Sequence, residues 1–293
     1  MLIPIIGPIN LVEAPNQGRF PYSHGLFIDD EVKVIIDTGF GLENAAKLQK
    51  KKISYLINSH FHEDHMALNT VFTGVPVFAP AEDAAGIRSP KDYRDWYGFE
   101  FFGASNLGDK FINWVNWHEA PVDQEFSQGH QFQFGQTSMQ ALFTPGHTQG
   151  HYSFWFEKER VMFSADIDLT GFGPWYGNLT SDVDQFIASI KIIQAYKPDL
   201  IITSHKGIID SNPNQKLERY LNRIFEREEK ILAFLNTYRT LDQIADQKII
   251  YGSHPEPADI NYYFEKVNLY IHLQRLQRLG WVEEIEGEYR KIK

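Results

Sequence analysis

Short apolar runs separated by polar turns recur through the first two thirds of the chain. Apolar runs of roughly four to eight residues between turn signals are typical of buried strands. Such runs end in polar residues after positions 36, 57, 143, 163 and 203. Because α/β sheets place functional groups at the carboxyl ends of their strands, the polar residues after these runs are the first candidates for a site.

A helical pattern lies between the last two of these strands. Asp182 can cap the helix, apolar residues recur at helical spacing from Phe186 to Tyr196, and Lys197 and Pro198 end it. Strands, then a helix, then a strand predict a mixed α/β architecture.

After a linker at 211–214 the chain changes to a predominantly helical pattern. The spacing predicts helices over 216–236, 240–245 and 262–279, followed by a hairpin over 281–292. Three helices and a hairpin resemble a winged helix. We therefore expect a small winged-helix-like α+β domain over residues 216–293.

Two segments are rich in aromatic residues. Residues 84–125 interrupt the regular pattern and contain nine aromatic residues, so they form either a lid or substrate wall or helices packed on the sheet. The loop 171–177 follows a candidate site residue closely, and we expect Trp175 and Tyr176 to bind substrate. The Tyr176 hydroxyl would donate a hydrogen bond to a substrate oxygen.

Composition and charge restrict the class of protein. The 293 residues are 43% hydrophobic and contain no cysteine, and no apolar run reaches the roughly 18–20 residues that a membrane span needs. The apolar N-terminus lacks the basic start and cleavage site of a secretory signal. These features favour a cytoplasmic protein with no membrane partner. The net charge of −10 argues against a nucleic-acid partner.

The densest candidate chemistry is the segment 60–65, which reads His-Phe-His-Glu-Asp-His. It holds three of the 11 histidines of the chain, together with Asp64. Imidazoles and carboxylates are ligands that zinc prefers. His60 and His62 can hold one ion, and Asp64 and His65 a second. Further candidates follow other strands, namely His147, Asp166 and His205. Asp37 either supports a ligand histidine or the loop backbone by a hydrogen bond or is a turn residue that caps its own backbone.

These motifs resemble those of the metallo-β-lactamase superfamily, in its glyoxalase-II-like branch. The resemblance covers residues 1–210 and implies a catalytic domain with a four-layer αββα sandwich, to which 216–293 is an appendage. It implies that one metal is held by His60, His62 and His147, a second by Asp64, His65 and His205, and that Asp166 bridges them. The family's usual residues are replaced around two ligands, by Ser164-Ala165 before Asp166 and by Lys206 after His205.

Two details indicate the chemistry. The absence of cysteine excludes the cysteine-ligated site of antibiotic-degrading zinc lactamases. Relatives with di-iron redox chemistry resemble a His-x-Glu-x-Asp-His pattern, whereas this chain has His62 at the position of the glutamate, which favours hydrolysis over oxygen reduction. We therefore expect two divalent ions, zinc first and iron or manganese as alternatives, that activate water for hydrolysis. Asp64 would be the catalytic residue that orients the nucleophile or carries its proton.

The expected function is hydrolysis of a small ester, thioester or lactone. One alternative is a metal-dependent endoribonuclease that acts on single-stranded RNA. Another is a winged-helix binding protein whose metal site is structural. Thirteen basic and thirteen acidic residues over 216–293 leave that region with no net charge, which disfavours nucleic-acid binding.

Overall fold

A computed structural model describes residues 1–293 and contains two large sheets. The first sheet has seven strands in chain order, antiparallel from β1 to β4 and parallel from β4 to β7. Its strands are β1 (Leu2–Ile6), β2 (Ile9–Val12), β3 (Gly25–Asp29), β4 (Lys33–Ile36), β5 (Tyr55–Ile57), β6 (Val77–Pro80) and β7 (Gln124–Phe126).

The second sheet has six strands in the order β13-β12-β11-β10-β9-β8. Only β11 and β12 run parallel, and the other pairs are antiparallel. Its strands are β8 (Gln131–Gln133), β9 (Ser138–Phe143), β10 (Tyr152–Phe156), β11 (Val161–Phe163), β12 (Leu200–Thr203) and β13 (Gly207–Ile209). The apolar runs identified in the sequence therefore form strands of both sheets.

Nine α-helices accompany the sheets. They are α1 (Leu42–Leu48), α2 (Glu63–Met66), α3 (Ala84–Arg88), α4 (Pro90–Tyr97), α5 (Ser105–Val115), α6 (Val183–Tyr196), α7 (Pro213–Phe234), α8 (Leu241–Ala245) and α9 (Ala258–Arg278). The α6 prediction is confirmed: the Asp182 side chain accepts a hydrogen bond from the Gln185 amide, and Lys197 ends the helix at φ 48°. No helix combines the length and the apolar character needed to cross a membrane.

Apolar packing arranges these elements in four layers. The central core lies between the sheets, where Ile36 and Ile57 of the first sheet join the same cluster as Phe163 and Ile202 of the second. The outer face of the first sheet packs on α1, and that of the second packs on α6 and α7. The expected α/β fold with αββα layers is confirmed.

The C-terminal region has its own core, formed by the end of α7, by α8 and α9, and by a three-stranded sheet. That sheet has the order β14-β16-β15, with β14 (Arg239–Thr240), β15 (Val282–Ile285) and β16 (Glu288–Lys291). The expected third helix begins at Ala258, four residues earlier than the spacing predicts. Arg275 of α9 lies 2.6 Å from Asp184 of α6, so this helix packs on the layered sandwich.

Candidate metal centre

The candidate ligands meet at one edge of the sandwich because each follows the carboxyl end of a strand. β5 leads into the segment with His60, His62, Asp64 and His65, while β9, β11 and β12 lead to His147, Asp166 and His205 respectively. The structure brings all seven predicted ligands together in two adjacent groups, one of four residues and one of three.

The first group contains His60, His62, His147 and Asp166. Nδ1 of His62 lies 3.0 Å from Nε2 of His60 and 2.8 Å from Nε2 of His147. Oδ2 of Asp166 lies 3.2 Å from Nε2 of His147. Three ring nitrogens and a carboxylate oxygen thus converge on one point.

The second group contains Asp64, His65 and His205, and it adjoins the same Asp166 carboxylate. Nε2 of His205 lies 3.5 Å from Oδ2 of Asp64 and 3.3 Å from Oδ2 of Asp166. Nε2 of His65 lies 3.0 Å from Oδ1 of Asp166. The carboxylate of Asp166 therefore contacts histidines of both groups.

Hydrogen bonds at the outer ring nitrogen fix the orientation of four of these histidines. An oxygen acceptor at Nδ1 makes that atom the donor and turns Nε2 towards the cluster, where it can bind a metal ion once it is deprotonated. The pairs are His60 with Ser59 Oγ at 2.9 Å, His65 with Asp37 Oδ2 at 2.8 Å, His147 with the Trp175 carbonyl at 2.8 Å, and His205 with the Gly18 carbonyl at 2.6 Å.

The expected supporting role of Asp37 is therefore confirmed. Besides His65, Asp37 accepts hydrogen bonds from the amide and the hydroxyl of Ser59, each at 2.8 Å. It sits at the end of β4 with φ 57°, a conformation that short polar residues tolerate better than most. One carboxylate thus positions two ligand histidines, His65 directly and His60 through Ser59.

Burial and mutual charge control protonation in the cluster. Burial holds the pKa of His60 and His62 well below 6.5, so both rings are neutral and offer lone pairs. For His205 burial opposes the charge, but the Asp166 carboxylate outweighs burial and raises the pKa to about 10. Because metal ligands must be deprotonated, an ion that binds here displaces such protons.

Unpaired buried atoms show that the site fits a cation. Oδ2 of Asp64, Nε2 of His65 and Oδ1 of Asp166 are buried and make no hydrogen bond of acceptable geometry, although the last two atoms lie 3.0 Å apart. An unpaired buried polar atom costs free energy, and an unpaired buried charge costs more. A divalent cation would satisfy all three atoms, and a His/Asp donor set suits zinc.

A cavity of about 290 Å³ opens directly on this cluster. One end is formed by His62, Asp64, His147, Asp166 and His205, and aromatic side chains form most of the rest. Tyr97 and Phe111 come from the segment 84–125, so this segment supplies part of the wall as predicted. Tyr93 and Phe99 of the same segment are fully buried core residues, as the alternative interpretation expected.

The two aromatic residues of the loop 171–177 have different environments. Trp175 lines the cavity. Tyr176 is 0% exposed and lies in the core beneath the second sheet, with its hydroxyl against His272 and Arg227. The prediction that Tyr176 binds substrate is therefore wrong, because its side chain lies in the core whereas that of Trp175 lines the cavity.

Sequence reasoning missed two supporting groups. His151 is fully buried, and its Nε2 accepts a hydrogen bond from the Asp166 amide at 3.1 Å. Oε2 of Glu63 accepts hydrogen bonds from the hydroxyls of Tyr93 and Tyr97, both at 2.7 Å. The Gly150-His151 pair after His147 was a visible signal for the first. The second depends on tertiary contacts with α4 that no local pattern shows.

Comparisons with known proteins agree with this geometry. The sequence model of the Metallo-beta-lactamase superfamily matches residues 18–205, more than half of the chain. Beta-lactamase-like protein 2 homolog of Caenorhabditis elegans is 23% identical over 238 residues, 76% of this chain and 68% of that protein. The atrochrysone carboxyl ACP thioesterase of Aspergillus fumigatus is 24% identical over 223 residues, 73% of this chain and 60% of its own length.

Solved structures with the same fold extend over nearly the whole chain. A metallo-beta-lactamase family protein from Thermus thermophilus has a TM-score of 0.73 at 19% identity, covering 99% of this chain and 97% of that one. A beta-lactamase domain protein from Burkholderia ambifaria also has a TM-score of 0.73, at 13% identity, covering 99% and 93%. Fold, cluster and sequence match agree, and the chain belongs to the metallo-beta-lactamase superfamily and is a hydrolase.

Proposed function

We propose that the chain is a dinuclear metal-dependent hydrolase of a small ester, thioester or lactone. The observation that carries the proposal is the Asp166 carboxylate, whose oxygens lie 3.2 Å from Nε2 of His147 and 3.0 Å from Nε2 of His65. Residues from both groups thus share one carboxylate. One ion would be held by His60, His62 and His147, the other by Asp64, His65 and His205, with Asp166 between them. Zinc is the preferred ion, with iron or manganese as alternatives.

The residues of the chain would orient the attacking water, accept its proton and position the substrate. Bound divalent ions supply an activated water at neutral pH and neutralise the charge that develops on the attacked oxygen. Asp64 lines the cavity beside the cluster, where it can orient the attacking water and accept its proton. Trp175 and the aromatic wall exclude bulk water and position the substrate's carbonyl group.

The charge pattern supports a small substrate over RNA. The basic residues of α9 that a nucleic acid would contact are already paired with acidic residues. Arg275 contacts Asp184 and Glu228, and Lys266 lies 2.9 Å from Asp242. A phosphate backbone needs free cations, so nucleic-acid partners remain the weaker alternative.

The division into a catalytic domain, residues 1–210, and a winged-helix-like region, residues 216–293, belongs to the same proposal. The separate C-terminal core supports it. The thioesterase name of the Aspergillus relative and the thioesterase pkgB of Emericella nidulans, 30% identical over 39% of this chain, support the substrate class.

The test is a substrate panel with zinc-loaded and chelator-treated protein. Phenyl acetate, an acetyl thioester of N-acetylcysteamine, a γ-lactone, bis(p-nitrophenyl) phosphate and single-stranded RNA cover the reaction classes. We expect zinc-dependent hydrolysis of a carboxylic substrate that His62→Ala abolishes. Zinc-dependent RNA cleavage that exceeds all carboxylic substrates, and that is lost in the same variant, would contradict the proposal.

A further inference from the structure

We propose that the cavity selects an acyl group that is apolar, carries no carboxylate and is about one to two aromatic rings in size. This inference rests on the proposed hydrolase function and identifies the substrate class of the same site. The wall that makes the selection comes mainly from α4, α5, Tyr251 and α9. The C-terminal region is therefore a specificity element of the active site.

The wall is a continuous aromatic surface centred on Phe264 of α9. The Phe264 ring centroid lies 5.4 Å from that of Trp175, 5.1 Å from that of Phe111 and 5.8 Å from that of Tyr97. Trp175 is held in turn by a 2.9 Å hydrogen bond from its indole nitrogen to the Tyr251 hydroxyl. Aromatic edges and faces fixed in this way favour apolar or aromatic groups.

No lysine or arginine lines the cavity, although four carboxylates do. The nearest lysine and arginine side chains are used elsewhere: Lys206 donates to the Leu169 carbonyl at 2.8 Å, and Arg223 donates to the Gly171 carbonyl at 3.1 Å. Lys110 lies 2.6 Å from Asp259. A carboxylate on the acyl group would therefore be buried without a partner, at a cost of several kcal/mol.

The volume sets the size of the group. An apolar cavity of about 150 Å³ holds a benzene ring, so a cavity of about 290 Å³ accommodates roughly one to two rings beside the reacting carbonyl. Phe20 and Trp114 are the most exposed aromatic residues of the lining, at 44% and 45%, and their ring centroids lie 5.7 Å apart, so they mark the mouth of the cavity.

Matched thioesters of N-acetylcysteamine test the inference, with acetyl, 3-phenylpropanoyl and glutaryl as acyl groups. We expect kcat/KM of the zinc-loaded protein for 3-phenylpropanoyl to exceed that for glutaryl by at least about 30-fold. We expect it to exceed that for acetyl by about 10-fold, since the ring fills the aromatic wall. Equal or better turnover of glutaryl would overturn the inference while leaving the hydrolase proposal intact.

A charge placed at the mouth provides a matched pair of variants. Trp114→Lys should raise kcat/KM for glutaryl about 10-fold relative to 3-phenylpropanoyl. Phe101→Lys introduces the same charge at an aromatic residue that is 61% exposed and does not line the cavity, so it should leave the ratio unchanged. An identical change in both variants would show that the cavity wall does not set the selectivity.

A binding measurement keeps the inference testable without turnover. Calorimetric titration of the zinc-loaded protein should show that 3-phenylpropanamide binds at least about 10-fold more tightly than glutaramate. Phe264→Leu should weaken the binding of 3-phenylpropanamide without changing metal content. Tighter binding of glutaramate would overturn the inference. If the zinc-loaded protein hydrolyses none of the esters, thioesters and lactones but still binds 3-phenylpropanamide preferentially, the proposed carboxylic hydrolysis fails and the apolar selectivity stands.

Discussion

The main-chain carbonyl oxygen of Trp175 accepts a hydrogen bond from Nδ1 of the candidate ligand His147 at 2.8 Å. The indole nitrogen of the same tryptophan donates to the Tyr251 hydroxyl at 2.9 Å. Two consecutive hydrogen bonds thus connect the C-terminal region to a candidate metal ligand. Within that region, the Tyr251 amide donates to the carboxylate of Glu265 at 2.9 Å and fixes the position of Tyr251.

This connection predicts a distant effect of Tyr251→Phe. The substitution leaves the Trp175 indole N–H unpaired, so the carbonyl that orients His147 loses support. We expect zinc affinity to fall several-fold, up to about tenfold, as measured by competition with a chromogenic chelator. Tyr262→Phe, also in the C-terminal region, is the control and should retain parental affinity. Unchanged zinc affinity in Tyr251→Phe would show that the hydrogen bond between Trp175 and Tyr251 does not stabilise zinc binding.

Asp37 gives a second prediction for metal affinity. Asp37→Ala removes the acceptor that orients His65 and Ser59, so we expect zinc affinity to fall about 10–100-fold. Asp30→Ala is a matched control, because Asp30 also accepts backbone hydrogen bonds, from Glu31 and Thr137, but lies outside the metal centre. If both variants lose zinc affinity equally, the loss in Asp37→Ala reflects general destabilisation of the fold and not the orientation of His65.

Trp175 and Tyr176 should behave oppositely when substituted. Trp175→Ala keeps the main-chain carbonyl but removes the cavity wall and the indole that bonds Tyr251, so we expect full metal content at saturating zinc, a zinc affinity lowered as in Tyr251→Phe, and a raised KM through lost uniform binding. Tyr176→Phe removes a buried hydroxyl from the core, so we expect a loss of about 1 kcal/mol in unfolding free energy with unchanged kcat/KM. Steady-state kinetics and urea unfolding of both variants check the contrast. Impaired kcat/KM in Tyr176→Phe at full stability would restore a substrate role for its hydroxyl.

His272 predicts how stability depends on pH away from the metal centre. Burial lowers the pKa of this fully buried histidine, and Arg227 and Arg275 lower it further against the opposing effect of Glu228. The unfolded chain therefore binds a proton below pH 6.5 that the folded protein does not. The contribution of His272 to the free energy of unfolding is therefore fully present above pH 6.5, where the residue is neutral in both states. It is lost as the pH falls towards the lower pKa of the folded protein. In urea unfolding, His272→Gln should lose less stability than the parent between pH 7 and pH 5, and parallel curves would contradict this.

The sequence marks the candidate ligands because they depend on local rules. Each follows a buried apolar strand, and the strand ends of one sheet meet at one edge, so His147, Asp166 and His205 after β9, β11 and β12 could be placed together without coordinates. His60 follows a strand of the other sheet, and the packing of the two sheets brings it to the same edge. The direction of a side chain in an irregular loop follows no such rule, and the expectation for Tyr176 failed for that reason. The pairing of Glu63 with Tyr93 and the link from Tyr251 to Trp175 join segments distant in sequence, and only tertiary packing brings them together.

The measurement that tests the central claim most directly is the metal stoichiometry of the zinc-loaded protein and of Asp166→Ala. Because Asp166 contacts histidines of both groups, it is the residue on which a shared two-ion site depends. Elemental analysis after loading should find close to two zinc equivalents per chain in the parent. Asp166→Ala should lose metal and activity together. A single equivalent in the parent, with full activity retained in His205→Ala, would contradict the dinuclear account.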